Sequence, residues 1–306
     1  MVESLKELNT ICQKPDYTTK GNWMARHIVR PAALPITWLL LHTPVSANQV
    51  TLVSLGVGLA GIYLLALVPK ALFLAGVLLF QMWYLLDHVD GQIARYRENV
   101  TLTGRFLDFL THHVIHGTVF FSLAIYCVQS SGSLFFVLWG FLVSISMMTF
   151  NLIHDVKAKT FYERIAAEKG MRLRNGTSGE GKASEKDETN PWKSLFALLH
   201  KSMEIHVLMN ILTLASLVQL VSQVPLDLRM LLFFYYGTAV PAVTVIKIVY
   251  LVESGGIDRE FEEHFTTQEP PNGSGASVSA PADGPIPRTD GRSGRGPSTP
   301  KRAKHS

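Results

Sequence analysis

Long stretches without a charged residue are the feature that most limits how this chain can fold. Aspartate, glutamate, lysine and arginine are absent from residues 31–69, 109–154, 205–226 and 231–246. An apolar stretch of about 18 residues or more with few charges is long enough to cross a bilayer as a helix. Charged residues make up only 17% of the chain, against roughly 25% in soluble domains. The sequence therefore predicts a polytopic membrane protein.

Six membrane spans follow from these stretches. We expect them at about 48–68, 71–95, 104–128, 134–154, 205–223 and 228–252. Pro69 and Pro225 end the spans that precede them, and the polar segment 129–133 has the composition of a turn. The predicted fold class is all-α, a polytopic integral membrane protein with six transmembrane helices and an N-terminal interfacial helix.

The segments outside the spans differ in composition. Residues 1–43 are predicted to be a cytoplasmic N-terminus with an amphipathic interfacial helix over 22–43, where Trp23 and Ile28 stand beside Arg26 and His27. The transmembrane domain covers 44–253 and includes a polar cytoplasmic loop at 155–204. Residues 254–306 are predicted to be a disordered cytoplasmic tail, because glycine, proline and serine dominate there from residue 269 onward.

The basic residues predict the orientation of the spans. Lysine and arginine are enriched in cytoplasmic loops. With both termini inside, the four inner segments hold five, three, ten and seven of these residues, and the outer turns hold only Lys70 and Arg229. We therefore expect both termini on the cytoplasmic side. The net charge of +4 is explained by this pattern, and no nucleic-acid partner is predicted.

Acidic residues at two neighbouring helix ends are the candidate chemical site. Asp87 and Asp90 share one helix face, and steps of four place Asp108 and His112 on one face of the next helix together with Gly104 and His116. The two helices are joined by about eight residues, so their faces are expected to meet at the cytoplasmic surface. Carboxylates held together in a poorly polar environment repel each other. A hard divalent cation such as Mg²⁺, Mn²⁺ or Ca²⁺ would relieve that repulsion.

The same stretch resembles the signature of CDP-alcohol phosphotransferases, D-x2-D-G-x2-A-R-x8-G-x3-D-x3-D. Seven of its eight fixed positions are present, as Asp87, Asp90, Gly91, Ala94, Arg95, Gly104 and Asp108. The eighth position holds His112 in place of an aspartate. The stretch Ser46–Thr51, which precedes the first span, is similar to a P-N-x-[VIL]-T sequence common in the family, with Ala47 in place of the proline.

The resemblance implies an enzyme of membrane lipid synthesis. Such an enzyme transfers a phosphoalcohol group, here expected to be phosphatidyl, from a CDP-linked donor to an acceptor hydroxyl and releases CMP. By analogy Asp87, Asp90, Asp108 and His112 would bind Mg²⁺ or Mn²⁺, and His112 would also be the catalytic base. The nucleotide site would include Gly91, Ala94, Arg95 and Gly104. The expected partners are the CDP-linked lipid or alcohol donor, the hydroxyl acceptor, the lipid bilayer and a second copy in a homodimer.

Other interpretations compete with this one. The acids alone are also compatible with ordinary surface charges of a cytoplasmic turn, and His112 is compatible with a catalytically silent membrane protein that binds CDP or a nucleotide-linked lipid. A transporter that couples ions to the acids is disfavoured, since transporter sites lie at broken helices near the bilayer midplane. His116 is expected beside the ligand set, and Asn151 is a weaker candidate for substrate contact.

Overall fold

The structure is a computed structural model that describes residues 2–14, 17, 19, 21–167, 171–173, 191–222 and 225–267. Residues up to Thr267 form one compact unit. The helices in the described ranges are α1 Leu5–Ile11, a π-helical turn Ala25–Val29, α2 Arg30–Leu41, α3 Ala47–Leu65, α4 Lys70–Tyr96, α5 Leu102–Ser131, α6 Phe135–Ala167, α7 Pro191–Ser202, α8 Ile205–Val221, α9 Leu228–Glu253 and α10 Gly256–His264. Two short strands, β1 Met171–Leu173 and β2 Phe265–Thr267, pair antiparallel.

Five helices in the described part of the chain, α3, α4, α5, α6 and α9, are long and apolar enough to cross a membrane by themselves. The predicted fifth span is different, because α8 is shorter and follows the final segment of α7 across a bend of 75°. Counted as one broken span, this pair gives the sixth crossing. The prediction of an all-α multi-pass membrane fold is confirmed, with the short β1–β2 pairing as an addition.

Helices also occupy segments that were predicted to be loop or tail. The predicted polar loop 155–204 includes the end of α6 and all of α7, and the predicted tail begins with α10. Lys157 Nζ on α6 lies 2.7 Å from Glu260 Oε1 on α10, and this ion pair joins the two helices. Residues 268–306, the rest of the predicted tail, lie outside the described residues.

The backbones of α3 and α4 pack closely where two glycines face each other. A Cβ atom built on Gly61 would lie 2.8 Å from the carbonyl oxygen of Gly76, and one built on Gly76 would lie 2.7 Å from that of Gly61. Small residues let helix backbones approach in membranes, because close packing replaces the hydrophobic effect there. This contact fixes α3 beside α4 and so determines which side chains of the two helices can meet.

Aromatic side chains fill the centre of the bundle. Trp83, Phe120, Phe233 and Tyr236 are fully buried. Aromatic residues of membrane spans are expected at the lipid or at the interface, and this expectation is wrong for Phe120, Phe233 and Tyr236. Their neighbours Phe121, Phe234 and Tyr235 are exposed on the bundle surface, as successive helical positions 100° apart require.

A polar cluster closes the end of the bundle opposite the candidate site. Arg229 Nε donates to Asp227 Oδ1 at 3.2 Å, Arg229 Nη1 donates to the Val68 carbonyl at 3.0 Å, and the Tyr126 hydroxyl donates to Asp227. Burial would raise the pKa of Asp227, but the hydrogen bonds from Arg229 and Tyr126 outweigh it and lower that pKa. The cluster ties α5, α9 and the α3–α4 turn together.

The N-terminal segment is folded onto α2 and α4. Ser4 and Glu7 form a capping box that starts α1. Glu3 accepts a hydrogen bond of 2.5 Å from the Tyr96 hydroxyl through Oε2 and one of 3.2 Å from Trp38 Nε1 through its carbonyl. The sequence predicts only polar chain before residue 20, so α1 is an unpredicted element. The predicted interfacial helix over 22–43 is divided between the π-helical turn and α2.

Candidate active site

A cavity of about 950 Å³ lies at the end of the bundle where α4 ends and α5 begins. Its walls come from the N-terminal segment, the starts of α3 and α5, the second half of α4, the middle of α6 and the α7–α8 bend. All the residues that the sequence nominates line it, namely Asp87, Asp90, Gly91, Ala94, Arg95, Gly104, Asp108 and His112. The predicted convergence of the two helix faces is therefore present.

The turn between α4 and α5 sets the relative positions of these faces. Glu98 adopts a positive φ of 48°, which ends α4, and the Thr101 side chain accepts a hydrogen bond of 3.0 Å from the Gly104 backbone N–H, which starts α5. Arg97 donates to the carbonyl oxygens of Val45 and Thr43 at 2.6 and 3.0 Å. Arg97 thus holds the turn against the start of α3, while the acids face the cavity.

Three side chains form the tightest cluster in the cavity. His112 Nε2 lies 3.0 Å from Asp87 Oδ1 and 3.3 Å from Asp108 Oδ1. The side chains of Asp87, His112 and Asp108 are 14%, 29% and 46% exposed, so the cluster is partly open to ligands. One ligand atom from each of the three residues lies within 4.8 Å of the others. Two carboxylate oxygens and an imidazole nitrogen are a donor set that suits Mg²⁺ less than Mn²⁺, which tolerates nitrogen better.

Asp90 lies apart from that cluster. Its Oδ2 accepts a hydrogen bond of 2.6 Å from the Thr51 hydroxyl, and the residue is only 9% exposed. Thr51 reaches it because Ser46 and Gln49 form a capping box that starts α3 at this height. The sequence predicts four ligands in one group, but in this structure Thr51 directs Asp90 toward α3. Asp90 still lines the cavity and remains a predicted ligand.

The small residues leave room beside the acids. A Cβ on Gly104 would meet Asn48 Oδ1 at 3.1 Å, and one on Gly91 would meet the Arg95 guanidinium at 3.1 Å. Arg95 lines the cavity, and its Nε donates a hydrogen bond to the Cys12 carbonyl. A cationic group at the wall with further N–H donors on its fork can bind a phosphate.

The N-terminal segment is a wall of the site that sequence reasoning missed. Gln13 and Lys14 line the cavity, and Cys12, which accepts from Arg95, is fully buried. Burial raises the pKa of the Cys12 thiol to about 11, so the thiol is neutral. Polar composition alone gives no signal for this packing.

Several further polar residues line the cavity without having been assigned to the site from the sequence. They include Asn48, Thr51, Tyr84, His88, Arg30, Arg105, Glu204 and His206. The resemblance of Ser46–Thr51 to the P-N-x-[VIL]-T stretch was the available signal for Asn48 and Thr51. From the sequence, Arg105 is one of the basic residues that mark the cytoplasmic side of the membrane. Only the structure shows that it lines the cavity.

His113 and His116 take different positions on α5. His113 Nε2 lies 3.1 Å from Asp155 Oδ2, away from the acid cluster, as its place on the helix predicts. His116 lines the cavity one turn from His112, with ring centroids 5.7 Å apart, and Asn151 Nδ2 lies 2.8 Å from His116 Nδ1. Asn151 also lines the cavity, as the sequence interpretation left open.

Comparison with known proteins supports the family. The model of the CDP-alcohol phosphatidyltransferase family matches residues 44–177. Among solved structures, the apo crystal structure of Mycobacterium tuberculosis phosphatidylinositol phosphate synthase (PgsA1) aligns with a TM-score of 0.42 and 18% sequence identity, over 73% of this chain and 94% of that one. No curated protein sequence matches the chain. Over residues 44–177 the chain thus matches the model of the family that the motif predicts.

Proposed function

We propose that this protein transfers a phosphatidyl group from a CDP-linked lipid to the hydroxyl of an acceptor alcohol and releases CMP. The observation that carries the proposal is the cluster of Asp87, Asp108 and His112 in a cavity that also presents Arg95. These residues stand at the spacing of the family signature, and the family model covers them. A cavity of about 950 Å³ is at the upper end of the usual size of ligand sites, as a donor and an acceptor together require.

The reaction is a substitution at phosphorus. The acceptor oxygen attacks the phosphorus that carries the lipid alcohol, and a new P–O bond forms. The bond from that phosphorus to the bridging oxygen breaks, CMP leaves with the bonding electron pair, and the hydroxyl proton passes to a base. Positioning and charge neutralisation supply most of the acceleration in such reactions.

A divalent cation is the implied cofactor, and the residues present fit it. Asp87, Asp108 and His112 would hold it, with Asp90 joining after a change of rotamer away from Thr51. When bound, Mg²⁺ or Mn²⁺ supplies positive charge to the diphosphate. Arg95 binds a phosphate oxygen, and Gly91 and Gly104 admit the nucleotide against the helix backbones.

His112 stands where the family signature has an aspartate. Its Nε2 faces two carboxylate oxygens, so this nitrogen is placed either to join them as a ligand or to take the proton of the acceptor hydroxyl. When a cation occupies the two carboxylates, the imidazole is free to take the proton of the acceptor hydroxyl as a general base. We propose this as its principal role.

The test follows CMP release by purified protein in detergent or vesicles, with CDP-diacylglycerol or CDP-choline, Mg²⁺ or Mn²⁺, and a panel of alcohols. We expect CMP with CDP-diacylglycerol, loss of turnover in Asp108→Asn, and loss of turnover in His112→Ala with partial retention in His112→Asp. Absence of CMP with every donor and acceptor, under conditions where the protein remains folded, would contradict the proposal.

The second candidate is a catalytically silent nucleotide-lipid binding protein, and His112 is the observation that favours it. It predicts that wild-type protein binds CDP-diacylglycerol but releases no CMP, and that His112→Asp, which restores the full signature, gains turnover. The enzyme proposal predicts turnover in the wild type. Measuring turnover of the wild-type protein therefore distinguishes the two candidates without any variant.

The position in the membrane is part of the same proposal. The excess of lysine and arginine on one side of the spans supports placing both termini and the cavity at the cytoplasmic face. A homodimer is proposed by family analogy. Cysteine accessibility in sealed vesicles and cross-linking in membranes test these two statements separately.

A further inference from the structure

His116 presents a hydrogen-bond donor that no described residue of the chain satisfies. Its Nδ1 lies 2.8 Å from Asn151 Nδ2, and Asn151 Nδ2 also donates to the Met147 carbonyl at 3.0 Å. A carbonyl oxygen can only accept, so the NH₂ group of Asn151 must be the one that faces it, and the second N–H of that group points to His116. His116 Nδ1 is therefore the acceptor of this hydrogen bond.

The neutral imidazole then carries its proton on Nε2. This Nε2 is buried and has no hydrogen-bond partner among the described residues, although the ring lines the cavity. A buried donor without a partner is unfavourable, because it has lost its hydrogen bond to water and has gained none in the protein. A ligand oxygen that reaches Nε2 from the cavity side of the ring would satisfy this donor.

The location favours the acceptor alcohol as that ligand. The His116 ring lies 5.7 Å from the His112 ring between centroids, which a small molecule with two or more hydroxyl groups can span. One hydroxyl at His112 and another oxygen at His116 would fix the orientation of the acceptor. The CDP part of the donor is expected farther away, at the Arg95 wall.

The charges around the cavity limit the kind of acceptor. The lysine and arginine residues that line the cavity come from the N-terminal segment, α2, α4 and α5. They are Lys14, Arg30, Arg95 and Arg105. The lining residues from α6 and from the α7–α8 bend include none. Glu204 adds a carboxylate there, and its Oε2 lies 3.2 Å from Nε2 of His206, which also lines the cavity. Lys247 is not a lining residue, and its ammonium lies 4.0 Å over the Phe150 ring. A phosphate ester would find no lysine or arginine among the lining residues of this wall to pair with, and it would face the Glu204 carboxylate.

We propose that the part of the cavity formed by His116, Asn151 and the α7–α8 bend binds the acceptor as a small uncharged polyol. His116 Nε2–H donates to one of its oxygen atoms, and Asn151 is a positioning residue that fixes the imidazole tautomer. This inference rests on the proposed function and adds the acceptor class and the residue that selects it.

The experiment compares matched acceptors with CDP-diacylglycerol as donor and Mn²⁺ present: glycerol with glycerol 3-phosphate, and inositol with inositol 1-phosphate. In one of the two pairs, we expect kcat/KM for the polyol to be roughly tenfold higher than kcat/KM for its phosphate ester. This ratio corresponds to about 1.4 kcal/mol. In His116→Leu the KM for that polyol should rise by roughly tenfold while the KM for CDP-diacylglycerol stays unchanged. His116→Gln, which keeps an N–H donor, should recover part of the loss.

The matched control is His113→Leu, because His113 faces Asp155 outside the cavity; it should alter neither KM. A preference for the phosphate esters, or a His116→Leu variant whose two KM values change equally, would overturn the inference and leave the proposed function standing. No CMP from wild-type protein with any acceptor would overturn both. A melting temperature measured for each variant separates a folding defect from a loss of acceptor binding.

Discussion

Among the single residues, the contact between Thr51 and Asp90 determines whether Asp90 joins the cluster of Asp87, Asp108 and His112. The Thr51 hydroxyl donates a hydrogen bond of 2.6 Å to Asp90 Oδ2. Hydrogen bonds to charged groups contribute about 1.5–3 kcal/mol to stability. Asp90 therefore has a stable rotamer away from Asp87 and Asp108. The hydroxyl of Thr51 thus holds Asp90 away from the like charges of Asp87 and Asp108.

Replacing that hydroxyl tests its role. Thr51→Val keeps the shape of the side chain and removes the donor, so Asp90 loses its anchor and the site loses preorganisation. We expect kcat/KM to fall by roughly tenfold, equivalent to about 1.4 kcal/mol, measured by CMP release. Thr118→Val is the control, because Thr118 bonds only carbonyls of its own helix. Equal activity in Thr51→Val and wild type would exclude this role.

The Cys12 thiol reports the attachment of the N-terminal segment to Arg95. Its pKa is raised from 9.0 to about 11 by burial, so the folded segment is favoured fully below pH 9 and loses that contribution as the pH rises toward 11. We expect alkylation of Cys12 in the Cys127→Ala background to be slow at pH 8 and to accelerate strongly between pH 9 and 11. Labelling at pH 8 as fast as in a peptide of residues 1–21 would contradict the packing of this segment.

At the scale of helices, the glycine contact between α3 and α4 sets the distance over which Thr51 reaches Asp90. A methyl group on Gly61 would meet backbone atoms, the Gly76 oxygen at 2.8 Å and the Phe80 nitrogen at 3.0 Å. These backbone atoms cannot move aside in the way that the end of a flexible side chain can.

Gly61→Ala is therefore expected to lower stability by about 1–3 kcal/mol, the usual range for overpacking, and to reduce activity as the helices separate. Gly56→Ala is the matched control in the same helix, since nothing lies within 4 Å of its Cβ position. Thermal unfolding in detergent measures both variants. A Gly61→Ala protein as stable as Gly56→Ala would show that the helices can separate freely.

The Asp227–Arg229 pair gives a pH-dependent prediction for the opposite end of the bundle. Arg229 is only 5% exposed, so Asp227→Asn leaves a buried cation without its partner, and we expect a lower melting temperature at pH 7. Because the pKa of Asp227 is lowered in the folded state, its stabilising effect is complete above its ordinary pKa of 3.8 and disappears as the pH falls through the folded value. The difference between variant and wild type should shrink below pH 4; a difference independent of pH would contradict this origin.

At the scale of the whole molecule, hydrophobic length predicts most of the membrane fold. The starts of α3, α4, α5, α6 and α9 lie within two residues of the expected spans, since an apolar run long enough to cross the bilayer has few alternatives. The bend between α7 and α8 was not predicted. Composition gives the apolar content of a segment but not its direction relative to the bundle.

The sequence predicts which residues form the candidate site better than it predicts how these residues are arranged. Helical spacing alone brings Asp87, Asp108 and His112 to one cavity. The attachment of Asp90 to Thr51 and of Arg95 to the Cys12 carbonyl depends on tertiary packing between segments 39 and 83 residues apart in sequence, which periodicity does not encode. His116 was predicted beside the ligands, but its unsatisfied N–H depends on a hydrogen bond from α6.

Mn²⁺ binding, measured by electron paramagnetic resonance on purified protein with CDP-diacylglycerol present, shows whether Asp87 and Asp108 hold a cation. We expect a saturable site in the wild type that is lost in Asp87→Asn and in Asp108→Asn, while Glu204→Gln, which changes a carboxylate in the same cavity, keeps it. Unchanged Mn²⁺ affinity in the Asp87→Asn, Asp108→Asn double variant would mean that these carboxylates do not bind the ion.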